Sequence, residues 1–545
     1  MMPKSPSPSD NNDEFPLWCY PYAVGHQGEG VCLLMQLGQH RVLLDCGVSD
    51  IKQLLTPQNE EFPLIDFILC SHAHPDHARG LLSFHRVFPE VPIYASEATV
   101  QLLPLNWLEE TEIPHLAQAL PLRSPIALAD NLTVELYPAG HLPGACAIAL
   151  TYTDSRRSHR LLYTGDFFLS NSRLAEGLSL EELRQFSPDI LIIEGSYGTA
   201  RHPHRRQQEN QLMTRVSETL AAGNSIVLPV FHFGLAQEIL VLLRSHHQFT
   251  GRDLDIWVDP ALAEACEAYL DILPHLPVSV QNFAQHQPLF WDERVRPRMH
   301  PLTATAPIHE APSILLVEEN SHWQQYLKDT HQRWVIFLPE SPLLPKFSPQ
   351  ELPGPIETYL LAQHSDCLGT TQLIHNLRPQ HVIFVHGPQN YLADLTSLEE
   401  LQNRYHLHLP QAHKKVELPI GEKFIQPAAP PETSYEGEVA EADKIITIQL
   451  PSSIVNDPRW HNFSDTGLVK ARWQGEELVL RGLSQKEILN QTSDEKLPRE
   501  IACCGNCRHR QGEHCRNPAS PLYGFQVTPQ GYCPVFEPLP ENKAD

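Results

Sequence analysis

The sequence has no stretch near the roughly 18 consecutive apolar residues that a membrane-spanning helix needs, and its opening, MMPKSPSPSDNNDEFP, has no apolar core for a secretory signal. Both absences predict a soluble, cytoplasmic protein. Net positive charge is also missing: 40 basic residues stand against 65 acidic ones, a formal charge of −25. That excludes bulk attraction to nucleic acid or anionic lipid, so a polyanion has to be held by a local patch or by metal ions. There is no internal repeat at a fixed period. Cysteine is thinly spread before the C-terminus, where seven of the twelve (Cys19, Cys32, Cys46, Cys70, Cys146, Cys266 and Cys367) stand singly, as expected of reduced core residues.

What is present is an ordinary globular chain of 545 residues, 41% hydrophobic and 19% charged, with an unusual 30 histidines and 49 prolines. Length alone suggests three or four domains. Residues 1–15 read as a disordered leader. Residues 16–198 carry short β runs that end in polar loops: HRVLLDCG, IDFILCSH, LTVELYPAGH, RLLYTGDF and DILIIEGSYG. This is the pattern of a layered α/β domain. Residues 199–350 alternate helix and strand and predict a βα domain with a parallel sheet, after which 351–425 returns to the first pattern. A proline-rich linker at 426–440, a small β-hairpin module at 441–500 and a cysteine-rich module at 501–545 complete the expected organisation.

The most informative segment is SHAHPDH, residues 71–77, directly after an apolar strand. It packs His72, His74, Asp76 and His77 into six residues of a strand-exit loop, where imidazoles and a carboxylate can turn toward a common point. Further strand exits carry Asp45, His141, Asp166 and His386. Imidazole and carboxylate without cysteine suit zinc, or a harder divalent ion such as manganese. A lone histidine at a strand end is ordinarily a solvated or capping residue; the clustered set is not explained that way.

Asp45, HAHPDH, His141 and Asp166 together resemble the metallo-β-lactamase fold in its hydrolase form. The resemblance implies an αββα sandwich with His72, His74 and His141 on one metal, Asp76 and His77 on a second, and Asp166 bridging. Asp45 would sit behind the ligands and orient their loop. Between Asp166 and His386 lie 219 residues, enough for the βα domain, and a domain inserted there resembles the β-CASP branch, whose members act on nucleic acids. Glu194 in IEGSYG resembles that branch's motif A, His364 in LAQHSD its motif B, and His386 in VHG its motif C; PVFHFGLAQE resembles a further segment. Histidine at motif C implies RNA rather than DNA, places His386 on the second metal and makes His364 a general acid. On spacing alone, His364 is equally well a helix-cap residue, and Glu194 alone could be a solvated strand-end acid.

The expected fold is therefore an αββα sandwich with an inserted β-CASP domain and a small Cys-rich C-terminal module. The expected activity is that of a two-metal phosphodiesterase, a ribonuclease in which two Zn2+ or Mn2+ activate water for in-line attack on phosphorus while His364 protonates the leaving ribose oxygen. Single-stranded RNA is the expected partner, no membrane is, and self-association into a homo-oligomer stays open. Arg201, Arg205 and Arg206, with Arg294, Arg296 and Arg298, are candidate phosphate contacts, against the alternative of solvated charged loops. Cys504, Cys507, Cys515 and Cys533 predict a structural zinc, with an iron–sulfur cluster as the alternative. Two departures from the family lie in the insertion: Leu235 replaces its arginine, and Glu318 and Glu319 stand where a Gly-Met stretch belongs. They favour the alternatives of a hydrolase acting on DNA or a small ester; a non-catalytic RNA-binding subunit is the third.

Overall fold

The computed structural model describes residues 17–26, 28–55, 65–303, 306, 308, 312–327, 333–340 and 354–421, then 438–442, 445–449, 469–474, 477–482, 507–512, 514–518 and 537. The leader, Cys504 and Cys533 lie outside the described residues. The chain divides into two compact units, Met1–Pro431 and Glu432–Asp545.

In the first unit, largely buried strands build two mixed sheets. One runs Val416–Glu417, Trp18–Val24, Val31–Leu37, His40–Leu44, Phe67–Leu69, Ile93–Ser96, Gln118–Leu120, antiparallel as far as His40–Leu44 and parallel beyond it. The other runs His406–His408, His381–Val385, Ile190–Glu194, Ser158–Tyr163, Cys146–Thr153, Leu132–Pro138, Ile126–Ala129. Period-two alternation decides which side chain faces where. Val31, Leu33 and Met35 of the first sheet bury against Val134, Ile148, Ile192 and Ile383 of the second. The residues between them, Cys32 and Leu34, join Leu81, Leu82 and Phe84 of the helix Leu81–Val87 in the outer core. Leu191, Ile193, Val382 and Phe384 likewise meet Leu373, Ile374 and Leu377 of the helix Cys367–Leu377. Four layers result, helix, sheet, sheet, helix.

A third sheet of six strands, all parallel, lies in the chain between two strands that are neighbours in the second sheet. Its order is Arg298–Pro301, Asp255–Val258, Ile314–Glu318, Ser225–Val230, Trp334–Pro339, Ile356–Tyr359. The chain leaves after Glu194 and returns so that Glu194 and Val385 are register partners. One expectation needs correcting. Ile356–Tyr359 falls in the segment assigned to the sandwich, yet it pairs with Trp334–Pro339, Ile336 opposite Ile356, and so extends the inserted sheet to Tyr359. Four residues, of which only Tyr359 is buried, carry no signal of which sheet edge they will join.

In the second unit, Glu438–Ala442 pairs with Ile445–Gln449 and Val469–Gln474 with Glu477–Gly482, both antiparallel. The first of these strands begins inside the segment read as linker. Among the described residues no helix is long and apolar enough to cross a membrane.

Candidate metal centre

The HAHPDH loop takes its shape from proline. His74 caps a single helical turn, Pro75–Ala78, with Pro75 at its first position, where a fixed φ helps and the missing N–H costs nothing. The amides of His77 and Ala78 donate to the His74 carbonyl at 2.9 and 3.0 Å. The turn lies so close to the neighbouring loop that a Cβ on Gly47 would fall 1.7 Å from the Asp76 carbonyl oxygen.

Behind the loop stands Asp45, fully buried and held at φ +58°, a left-handed conformation that Asp tolerates better than most residues. Its Oδ1 accepts the Ser71 amide at 2.6 Å, and its Oδ2 accepts Ser71 Oγ at 2.8 Å, Tyr163 Oη at 2.6 Å and His77 Nδ1 at 2.7 Å. His77 Nδ1–H is thereby committed, leaving Nε2 as its outward nitrogen. Ser71 Oγ, having donated to Asp45, is free to accept from His72 Nδ1 at 3.0 Å, which turns His72 Nε2 outward in the same way. Asp45→Asn is expected to weaken divalent-cation binding by about 10- to 100-fold. Competition against a fluorescent chelator checks this, and unchanged affinity would remove Asp45 from that role.

His74 and His141 are oriented by backbone carbonyls, one from the loop after the inserted strand Ser225–Val230 and one beyond the inserted sheet's last strand. His141 Nδ1 donates to Gln363 O at 3.0 Å, and His74 Nε2 lies 3.4 Å from Phe233 O. His141 Nε2 and His74 Nδ1 then face one another at 2.9 Å. Gly234, at φ +103°, permits the approach: a Cβ there would sit 3.1 Å from His74 Nε2. The segment PVFHFGLAQE thus forms one wall of the centre.

Asp166 occupies the middle. Its Oδ2 is 3.5 Å from His72 Nε2 and 3.6 Å from His141 Nε2, while its Oδ1 is 3.3 Å from His77 Nε2 and 3.1 Å from His386 Nδ1. His386, at φ +50°, places Nε2 3.2 Å from Asp76 Oδ2. Three overlapping groups of ligand-type atoms follow: His72, His74, His141 and Asp166; Asp76, His77 and His386; and Asp166, Glu194, His364 and His386. His72 Nε2, His77 Nε2 and Asp166 Oδ1 are buried without hydrogen-bond partners. Buried polar atoms are ordinarily paired, so three orphans aimed at one space fit a cation. The donor set, imidazole nitrogen and carboxylate oxygen, fits divalent zinc or manganese.

Electrostatics points the same way. Burial, helped by neighbouring histidines, draws His72 well below its ordinary value and His141 down to about 3; burial draws His74 down to about 4. All three are neutral near pH 7, as ligation requires. Burial also opposes charge on His386, but Asp166 and then Asp76 and Glu194 outweigh it and lift the ring to about 10. The second half of the pocket attracts positive charge.

Glu194 is no solvated acid. It is 1% exposed, its Oε1 accepts the Phe167 amide at 2.9 Å, and both oxygens lie 3.2 Å from His364 Nδ1. Burial would raise its pKa, yet His364 and His386 hold it at about 2. His364 is not the cap of the following helix; Asp366 is, accepting from the Gly369 amide at 2.9 Å. Instead its ring lies 4.6 Å from that of His141 and 5.5 Å from that of His386.

The basic residues divide. Arg201 and Arg206 are exposed, but Arg205 is 4% exposed and cannot serve as a surface phosphate contact. It opens the helix Arg205–Ala221 on its buried face, pairs with Glu209 at 3.4 Å and Glu238 at 3.3 Å, and donates to Ala362 O. Arg205→Ala is expected to destabilise the protein by about 1.5–3 kcal/mol, because buried Glu209 and Glu238 each lose a charged donor while Arg173 stays on Glu209 and Ser172 on Glu238. Thermal unfolding measures it, and an unchanged Tm would show the pair to be idle. Arg294 is tied to Asp292 and Arg298 to Asp253 and Asp255. Sequence reasoning missed Ser71, Tyr163 and Ser196, buried hydroxyls with no spacing signature.

Residues 40–228 match the β-lactamase superfamily domain. Fold and site therefore define a metal-dependent hydrolase of the metallo-β-lactamase superfamily. An uncharacterised protein of Synechocystis is 49% identical over 538 residues, covering 95% of this chain and 96% of that one. An RNase J-like protein of Methanocaldococcus jannaschii is 29% identical over 278 residues, 47% of this chain and 61% of that one, and endoribonuclease ysh1 of Schizosaccharomyces pombe is 26% identical over 438 residues, 70% and 55%. This chain belongs to the β-CASP family of that superfamily.

Proposed function

We propose that the chain is a two-metal phosphodiesterase that cleaves single-stranded RNA. His72, His74 and His141 would hold one cation, Asp76, His77 and His386 the other, and Asp166 would lie between them. The observation that carries this reading is the convergence of both ligand groups on the two oxygens of one buried carboxylate. Such cations supply Lewis acidity toward phosphate oxygens and acidify a water. The chain's own part is to aim and to protonate. Asp45, Ser71 and the carbonyls of Phe233 and Gln363 fix the ligand rings. Glu194 accepts from His364 Nδ1–H and leaves Nε2 to deliver a proton to the departing ribose oxygen. Burial lowers the proton affinity of His364, but Glu194 and Asp166 overcome it and raise it above the ordinary value, which favours the protonated form that a general acid needs.

The insertion, running to about Tyr359, would supply the second wall of the substrate cleft, with Arg201 and Arg206 as candidate phosphate contacts. In the C-terminal module, Cys507 and Cys515 are buried thiols, Cys515 within a small hairpin opposite Arg510. This supports a four-thiolate zinc site with Cys504 and Cys533.

The decisive experiment incubates the purified chain with end-labelled RNA bearing a 5′ triphosphate or a 5′ monophosphate, with zinc or manganese, and reads product lengths. Metal-dependent shortening is expected. Intact RNA beside hydrolysis of a small phosphodiester would overturn the substrate and keep the hydrolase.

A further inference from the structure

One hydroxyl joins the metal pocket to the acid. Ser196 is fully buried, and its Oγ donates to Glu194 Oε2 while lying 3.0 Å from His386 Nδ1 and 3.4 Å from His364 Nδ1. A hydroxyl has one proton to give and lone pairs to receive with. With its proton on the carboxylate, Oγ is left to accept a ring N–H. His386 Nδ1 has a second neighbour, Asp166 Oδ1 at 3.1 Å, but that oxygen has no hydrogen-bond partner. The contact is close without being aligned, so the Nδ1–H is aimed at Ser196. A proton fixed on Nδ1 makes Nε2 the nitrogen left for a cation, and Nε2 is the atom facing Asp76.

Resting on the two-cation reading, we propose that Ser196 is a positioning residue: it holds the His386 tautomer that turns Nε2 toward the second cation, and through Glu194 it links that cation to His364. No spacing in the sequence marks it, because a serine one residue past a glycine in a strand-exit loop looks like turn filler.

The test titrates the full chain, stripped of cations at its histidine-rich centre, with Zn2+ by chelator competition and with Mn2+ by electron paramagnetic resonance; the equivalents counted are those of this centre, beyond any Zn2+ held by the C-terminal thiolates, which manganese does not favour. Ser196→Ala is expected to keep the first equivalent and weaken the second by about 10- to 100-fold, the usual effect of losing a partner behind a metal-bound histidine. Ser196→Thr, which keeps the hydroxyl, is expected to restore it. An unchanged second equivalent in Ser196→Ala overturns the proposal; so does equal weakening of both equivalents with a lowered Tm, which would mark Ser196 as a packing residue. Should Ser196→Ala fail to fold, Ser196→Cys carries the same comparison, since a thiol is a weak donor and acceptor. A wild-type chain that binds one cation overturns the dinuclear reading and this proposal with it. A wild-type chain that binds two cations and leaves RNA uncut separates the claims, because the second-equivalent comparison still decides this one.

Discussion

Asp166→Asn is expected to lower turnover on RNA by a factor on the order of 10³ or more, about 4 kcal/mol of barrier. The carboxylate puts one oxygen toward His72 and His141 and the other toward His77 and His386, within 3.1 to 3.6 Å of each. Asparagine keeps the shape, removes the charge shared by the two halves and brings an amide donor against them. Loss of at least one bound cation is expected alongside, measured by elemental analysis after gel filtration, with far-UV circular dichroism unchanged. Turnover within tenfold of wild type would sink the bridging role.

His364→Ala tests the acid and gives a different signature. Removing a general acid costs about 10² to 10⁴ in rate when the leaving group needs a proton. RNA leaves as a ribose alkoxide and does; a nitrophenolate, already a stable anion, does not. The variant is therefore expected to lose activity on RNA while keeping most of its activity on a nitrophenyl phosphodiester. The pH profile follows from the raised proton affinity of His364. Below that pKa the ring carries its proton and works; as pH rises through it, the wild type loses RNA cleavage. His364→Ala should lack this alkaline fall. Equal losses on both substrates would assign His364 to binding or structure instead.

Much of this centre is legible in the sequence because its ligands are side chains at places that β-rich folds make conspicuous. HAHPDH is a local cluster, and Asp45, His141, Asp166 and His386 each close an apolar run. The supports are harder to read. The carbonyls of Phe233 and Gln363 orient His74 and His141, yet a carbonyl belongs to every residue and has no letter of its own. Ser71, Tyr163 and Ser196 act through single hydroxyls whose partners are distant in the chain; Tyr163 and Asp45 are 118 residues apart. Arg205 misled for another reason. In RHPHRR it resembles its neighbours, and only the phase of the helix that begins there separates a buried arginine from an exposed one.

The placement of the six-stranded sheet between adjacent strands of the sandwich has a consequence for synthesis. Asp76 and His386 are 310 residues apart. At ribosomal speeds of about 5–20 residues per second, the interval between the two leaving the exit tunnel is roughly 15–60 s. Throughout that time the nascent polypeptide carries the histidine-rich loop without its last imidazole, so the centre is completed only late in the synthesis of the first unit. A fragment ending anywhere before residue 386 therefore carries an incomplete centre.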